Sequence, residues 1–151
     1  MNANELFGHW HEVRFGLRQA FSGLDQKRLD YHPRKELRSI GEIVCHIAGC
    51  ENGWFRYIVQ HELKDWAEAD FRPGDYPTLV QLDGLLAEVH GRTEAFLESV
   101  DIKDIDQPVM LPWGPVVPLR WVIWHVLEHE IHHRGEIFLM LGLQGIEAPD
   151  I

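Results

Sequence analysis

The segment Trp124-His125-Val126-Leu127-Glu128-His129-Glu130-Ile131-His132-His133-Arg134-Gly135-Glu136 constrains this chain more than any other. It holds four histidines within nine residues, on what reads as one helix. Trp121, Val122, Trp124, Val126, Leu127, Ile131, Ile137, Phe138, Leu139 and Met140 surround them. At about 100° per residue these apolar side chains cover most of the circumference, so the helix is expected to be largely buried. Burying several imidazoles without partners is costly. A shared metal ion, backed by an acid such as Glu128 or Glu136, resolves that cost.

Helix geometry limits which histidines can share an ion. Residues four apart lie on one face, so His129 pairs with His133, or His125 with His129. His125 and His133 differ by about 12 Å along the axis, which ligand bonds of about 2.0–2.1 Å cannot bridge. His132 points about 100° away from His133. Spacing alone leaves the two pairs open.

The rest of the chain supplies the frame. A length of 151 residues, 45% hydrophobic content and six tryptophans point to a single packed domain over residues 1–151. A net charge of −10 disfavours duplex DNA and anionic membranes as partners. No apolar run approaches the roughly 20 residues of a transmembrane helix. The opening Met-Asn-Ala-Asn-Glu-Leu-Phe has no basic and apolar leader, so a cytoplasmic location is expected. Cys45 and Cys50, on one continuous helix, stand too far apart for a disulfide.

Four long helices are expected. The first runs from about Glu5 to Ser22. The second opens on the capping box Ser39-Ile40-Gly41-Glu42 and carries through Trp54 and Ile58. The third opens on Thr78-Leu79-Val80-Gln81 and continues to Leu97. The last begins with Pro118 in its first turn and runs to Leu141, stopped by Gly142. Between the last two, Asp106–Val117 carries Pro108, Pro112, Gly114 and Pro115 and reads as extended, with a small hairpin near Trp113-Gly114. The fold class expected is all-α, an up-down four-helix bundle with a short extended segment before the last helix.

A site with two histidines from one helix needs a further ligand. His46, mid-helix among apolar residues, is the best candidate. Cys50 lies on the same face but reads as packing. His9, His11, His32, His61 and His90 sit in polar contexts and read as surface.

These motifs resemble the DinB/YfiT-like family of metal-dependent bundles. The likeness rests on Ser39-Ile-Gly-Glu-Ile-Val-x-His46-Ile and on His129-Glu-x-x-His133-Arg-Gly-Glu136, and it extends over nearly the whole chain. The resemblance implies a divalent metal held by His46, His129 and His133. It implies a homodimer, and for several members transfer reactions that use a low-molecular-weight thiol. The family name refers to DNA damage induction, hence a stress response, and implies no DNA binding. His129-Glu130-x-x-His133 also matches the short H-E-x-x-H signature of zinc peptidases, with Glu130 as general base. No histidine follows His133 to complete such a site, and strand content is low.

Three protein ligands leave room for water or substrate. Glu128, Glu130 and Glu136 are the candidates to orient ligands or move protons; the residue types name no further catalytic group. Arg134 reads as a salt-bridge partner, and Gly135 as a point of close helix packing. Imidazoles suit zinc, nickel, iron and copper alike. The function expected is a metal-dependent transferase with a small thiol nucleophile and a small electrophilic substrate; a metal-dependent hydrolase and a non-catalytic metal-binding bundle are the alternatives. The last helix is apolar over more than one bundle face, and Trp10, Trp54, Trp113, Trp121 and Trp124 add aromatic surface. Both features agree with a homodimer.

Overall fold

A computed structural model describes residues Met1–Ile151. Six α-helices form: α1 (Ala3–Leu6), α2 (His9–Phe21), α3 (Gln26–Leu29), α4 (Ile40–Asn52), α5 (Leu79–Ser99) and α6 (Leu119–Leu143). Two short strands, β1 (Pro108–Met110) and β2 (Val116–Pro118), pair antiparallel, with Val109 opposite Val117. The bundle of four long helices and the hairpin before α6 are both as expected. No helix is long and apolar enough to cross a membrane.

Local chemistry sets the element ends. Both expected capping boxes form: Ser39 accepts from the Glu42 amide, and Thr78 from the Gln81 amide. A third box, Asn2 with Glu5, starts α1. The first helix is therefore two pieces, broken at Phe7-Gly8, rather than one from Glu5 to Ser22. α4 does not continue regularly to Ile58 but widens into a π-helical turn over Gly53–Val59. A side chain at Gly53 would put its Cβ 2.8 Å from the Trp66 indole, so the close approach there requires glycine. α6 runs past Gly142 and stops at Gln144-Gly145. Gly145 adopts φ +72°, and the Ile146 amide donates to the Leu141 carbonyl, as in a left-handed helix cap.

Helix directions follow from side-chain pairs. α2 runs parallel to α6, since Trp10 meets Glu130 and Gly16 meets Arg134. α4 runs antiparallel to α6, since His46 meets His133 while Trp54 meets Trp121. α4 runs parallel to α5, through Gly41 with Leu82 and Glu51 with His90. The expected bundle therefore forms with directions up, down, down, up in place of strict alternation. The physical reason is the long connection between α4 and α5, residues 60–78, which lets the chain return to its starting end before α5 begins.

The core has two apolar halves. Trp10, Trp54, Phe55, Leu119, Val122 and Leu127 lead one; Leu17, Phe21, Ile40, Ile47, Leu86, Ile137 and Leu141 lead the other. Between them lies a buried polar layer. Arg14 donates to both carboxylate oxygens of Glu130 at 2.8 Å, to Glu51, and to the Leu86 carbonyl at 3.1 Å. Trp10 Nε1 donates to Glu130 at 2.7 Å, and His90 Nδ1 lies 2.8 Å from Glu51. Burial opposes the charge on Arg14, but Glu51 and Glu130 outweigh it and hold its pKa above the usual value. Removing one member leaves uncompensated buried charge, which costs about 3–5 kcal/mol. Arg14→Met is therefore expected to lose about that much stability in urea unfolding. Arg18→Met, which breaks only the half-exposed pair with Asp83, should lose no more than about 1 kcal/mol. Equal losses from the two variants would refute a special role for the buried layer.

Candidate metal centre

One face of α6 points inward: Leu119, Val122, Ile123, Val126, Leu127, Glu130, His133, Arg134, Ile137, Met140 and Leu141 are buried. The opposite face does not bury its apolar residues as the composition suggested. Trp121, Trp124, Ile131 and Leu139 remain exposed, whereas Trp10 and Trp54 are interior. His129 and His133 flank the buried stripe on the side that meets α4. Their rings lie 4.4 Å apart, and the His46 ring lies 4.8 Å from His129 and 4.6 Å from His133. One nitrogen from each of the three falls within 4.8 Å of the others.

The donor set fits an ion. His46 Nε2 and His129 Nε2 face each other at 3.0 Å. Two nitrogens bound to one ion at about 2.0–2.1 Å stand about 2.9–3.4 Å apart for bond angles of about 90–110°. Both rings are held neutral, which is the ligand form. Burial pulls His129 down to about 3, helped by repulsion from His133 and His46. Burial, with Arg38 and His133, pulls His46 down to about 4. Glu136 Oε2 accepts from His133 Nδ1 at 2.6 Å, which leaves His133 Nε2 for the centre.

The other sequence candidates separate. His125 stacks on Trp121, rings 4.9 Å apart and 7° from parallel, and meets the edge of Trp54. His132 is exposed and lies 3.3 Å from Glu136, so Glu136 straddles both histidines. Glu128 is exposed. Glu130 is committed to Arg14 and Trp10, turned about 100° from His129, so it cannot serve as the general base of an H-E-x-x-H site. Cys45 and Cys50 are buried thiols outside the cluster. Burial and neighbouring acids push them up to about 11 and about 12, which keeps them protonated. The salt bridge expected of Arg134 does not form; its guanidinium lies 5.6 Å over the Phe138 ring, beside Gly16. A side chain at Gly135 would meet open space, so close packing falls at Gly16, Gly49 and Gly53 instead.

The sequence missed the access route. A recess of about 360 Å³ beside His46 is lined by Arg38, Glu42, Cys45, Asp70, Phe71 and Arg72. An adjoining apolar groove of about 570 Å³ lies along Leu37, Arg38, Ile43, Glu136, Leu139 and Met140. Arg38 and Glu136 thus connect the groove to the histidines. No spacing signal marks Arg38 or Arg72, because both sit on connecting segments.

A bundle whose second and fourth long helices bring histidines together behind an open groove defines a class of protein. The chain belongs to the DinB superfamily, whose sequence profile matches residues 9–137. It is similar to YjoA of Bacillus subtilis, 23% identical over 145 residues that cover 95% of this chain and 91% of YjoA. The crystal structure of YjoA aligns with a TM-score of 0.74 and covers 97% of this chain and 96% of that one. YfiT from Bacillus subtilis, described as a probable metal-dependent hydrolase with an unusual four-helix bundle topology, aligns at 20% identity with a TM-score of 0.74, covering 96% of this chain and 89% of YfiT. At these identities the structural likeness speaks for the fold.

The depressed histidines set a pH dependence. Above the ordinary pKa of about 6.5, folded and unfolded chains both hold them neutral. Below it the unfolded chain takes up protons that folded His46 and His129 refuse until about 4 and about 3. Stability of the metal-free chain should therefore fall progressively from pH 6.5 towards pH 4. Urea midpoints should show it, and the slope should flatten in His129→Ala.

Proposed function

We propose that this chain is a divalent-metal enzyme of the DinB superfamily, with His46, His129 and His133 as ligands. The convergence of three imidazoles, two of them with Nε2 atoms 3.0 Å apart, carries this reading. A divalent ion held there would acidify a bound thiol or water and polarise a carbonyl. Imidazoles with an oxygen-rich outer shell suit zinc, nickel or iron. Glu136 orients His133 and can exchange a proton at its exposed edge. Arg38 and Arg72 offer guanidinium groups beside His46, suited to the carboxylates of a small anionic cosubstrate. The apolar groove next to Arg38 can receive an uncharged electrophile. These features favour transfer onto a low-molecular-weight thiol. The description of YfiT supports a second reading, hydrolysis with water as the nucleophile.

Elemental analysis of protein purified without added metal tests the ligands. Replacing His46, His129 or His133 by Ala should each strip most of the tightly held metal, while His125→Ala and His132→Ala retain it. Retention in His133→Ala with loss in His125→Ala would overturn the assignment. The metal-loaded chain should then consume glutathione, bacillithiol or mycothiol in the presence of a small electrophile, and Arg38→Ala should raise KM more than it lowers kcat. Cleavage of small amides or esters without any thiol would favour hydrolysis instead.

The outward face of α6 supports assembly as a homodimer. Trp121, Trp124 and Ile131 recur at helical spacing and are all exposed. Light scattering should give twice the 17.6 kDa chain mass at micromolar concentration, and Trp124→Glu should shift it towards the monomer. A wild-type chain that elutes as a monomer would refute the dimer.

A further inference from the structure

His90, which reads as a surface residue in the sequence, is buried at 6% exposure between α2 and α5. Its Nδ1 lies 2.8 Å from Glu51 Oε1. Glu51 is ionised beside Arg14 and can only accept, so His90 Nδ1 is the donor. That leaves Nε2 on the far side of the ring. This atom is buried and has no hydrogen-bond partner. An orphaned buried polar atom is costly, about 1–3 kcal/mol, and calls for an occupant.

The surroundings specify one. His90 Nε2 faces Glu94 Oε1 at 3.7 Å, and His11 Nδ1 lies 2.8 Å from the same oxygen. One ligand atom from each of His11, His90 and Glu94 lies within 4.8 Å of the others. The two measured separations bracket the about 2.9–3.4 Å expected for ligand atoms sharing an ion. His11 and Glu94 are partly exposed, so their side chains can move to close around an ion. A recess of about 350 Å³ lined by His11, Arg14, Phe15, Arg18, His90 and Glu94 gives entry from solvent. The Glu51 carboxylate behind His90 is the kind of group that fixes the ring and tautomer of a ligand histidine.

We propose that His11, His90 and Glu94 form a second site for a divalent transition metal, distinct from the histidine centre between α4 and α6. Two imidazoles and one carboxylate suit zinc, with a remaining position open to water. The site clasps α2 to α5, two antiparallel helices otherwise joined at the surface by Arg18 and Asp83. It shares no residue with the first centre. The buried Arg14 network stands behind it, with Glu51 common to that network and to His90.

The test uses zinc alone as the probe. Equilibrium dialysis with elemental analysis should find two equivalents on the wild-type chain, the second held more weakly. His11→Ala and Glu94→Gln change partly exposed residues and should leave the fold intact, as circular dichroism checks. Each should lose one equivalent. His129→Ala should lose the other, and the double variant His11→Ala/His129→Ala should lose both. Zinc should raise the melting temperature of His129→Ala but not that of the double variant. One equivalent that survives His11→Ala and disappears in His129→Ala would overturn the second site and leave the first standing. The reverse pattern would overturn the first and leave the second. Uptake unchanged by both His11→Ala and Glu94→Gln would show that a bridging water, not a metal, satisfies His90.

Discussion

Arg14 reaches from α2 to a side chain of α4, a carbonyl of α5 and a side chain of α6. One guanidinium therefore contacts all of the other long helices of the bundle. Its burial gains little net stability over apolar packing, because desolvation offsets most of the Coulomb attraction. What it sets is register. Sliding any helix by a turn would strand Arg14, Glu51 or Glu130 without a partner at a cost that apolar residues around it would not recover. The two apolar halves of the core pack on either side of this fixed layer.

The histidine centre depends on that register. Glu130 points at Arg14, and a helix turns about 100° per residue. His129 and His133 are then carried to the side of α6 that faces His46. The same rotation leaves His125 to stack on Trp121 and His132 to face solvent. Burial keeps His46 and His129 deprotonated and Cys45 and Cys50 protonated, since desolvation penalises whichever form carries charge. Neutral imidazole is thus available at neutral pH while thiolate is not. The cluster therefore offers nitrogen donors and no thiolate of the chain's own.

The polar layer and the histidine centre share α4 and α6: Glu51 lies five residues after His46, and Glu130 directly follows His129. A histidine placed next to an anchored, buried charge has little freedom to drift. That is the condition for a preorganised site, and it explains why polar residues occupy the middle of a small bundle that could have been apolar throughout. The outer wall is different in character. Arg38, Asp70 and Arg72 lie on connecting segments and are exposed, so they can adapt to a ligand while the histidines behind them stay fixed.

The sequence alone determined what local rules govern. Capping boxes at Ser39 and Thr78, the hairpin before Pro118 and the four-residue spacing of His129 and His133 all act over a few residues, where geometry follows from composition. It marked His46 by its apolar mid-helix setting and by likeness to a family, because a single histidine carries no period. Tertiary structure decided whatever depends on distant partners. His90 lies in a locally polar stretch, and only its approach to Glu51, itself held by Arg14 from α2, shows that it is interior. The direction of α5 depends on where a long connection lands, which no local pattern records. Which apolar face of α6 turns inward was likewise undecided, since that helix is hydrophobic nearly all round. Packing against α2 and α4 resolved it, and left Trp121 and Trp124 outside.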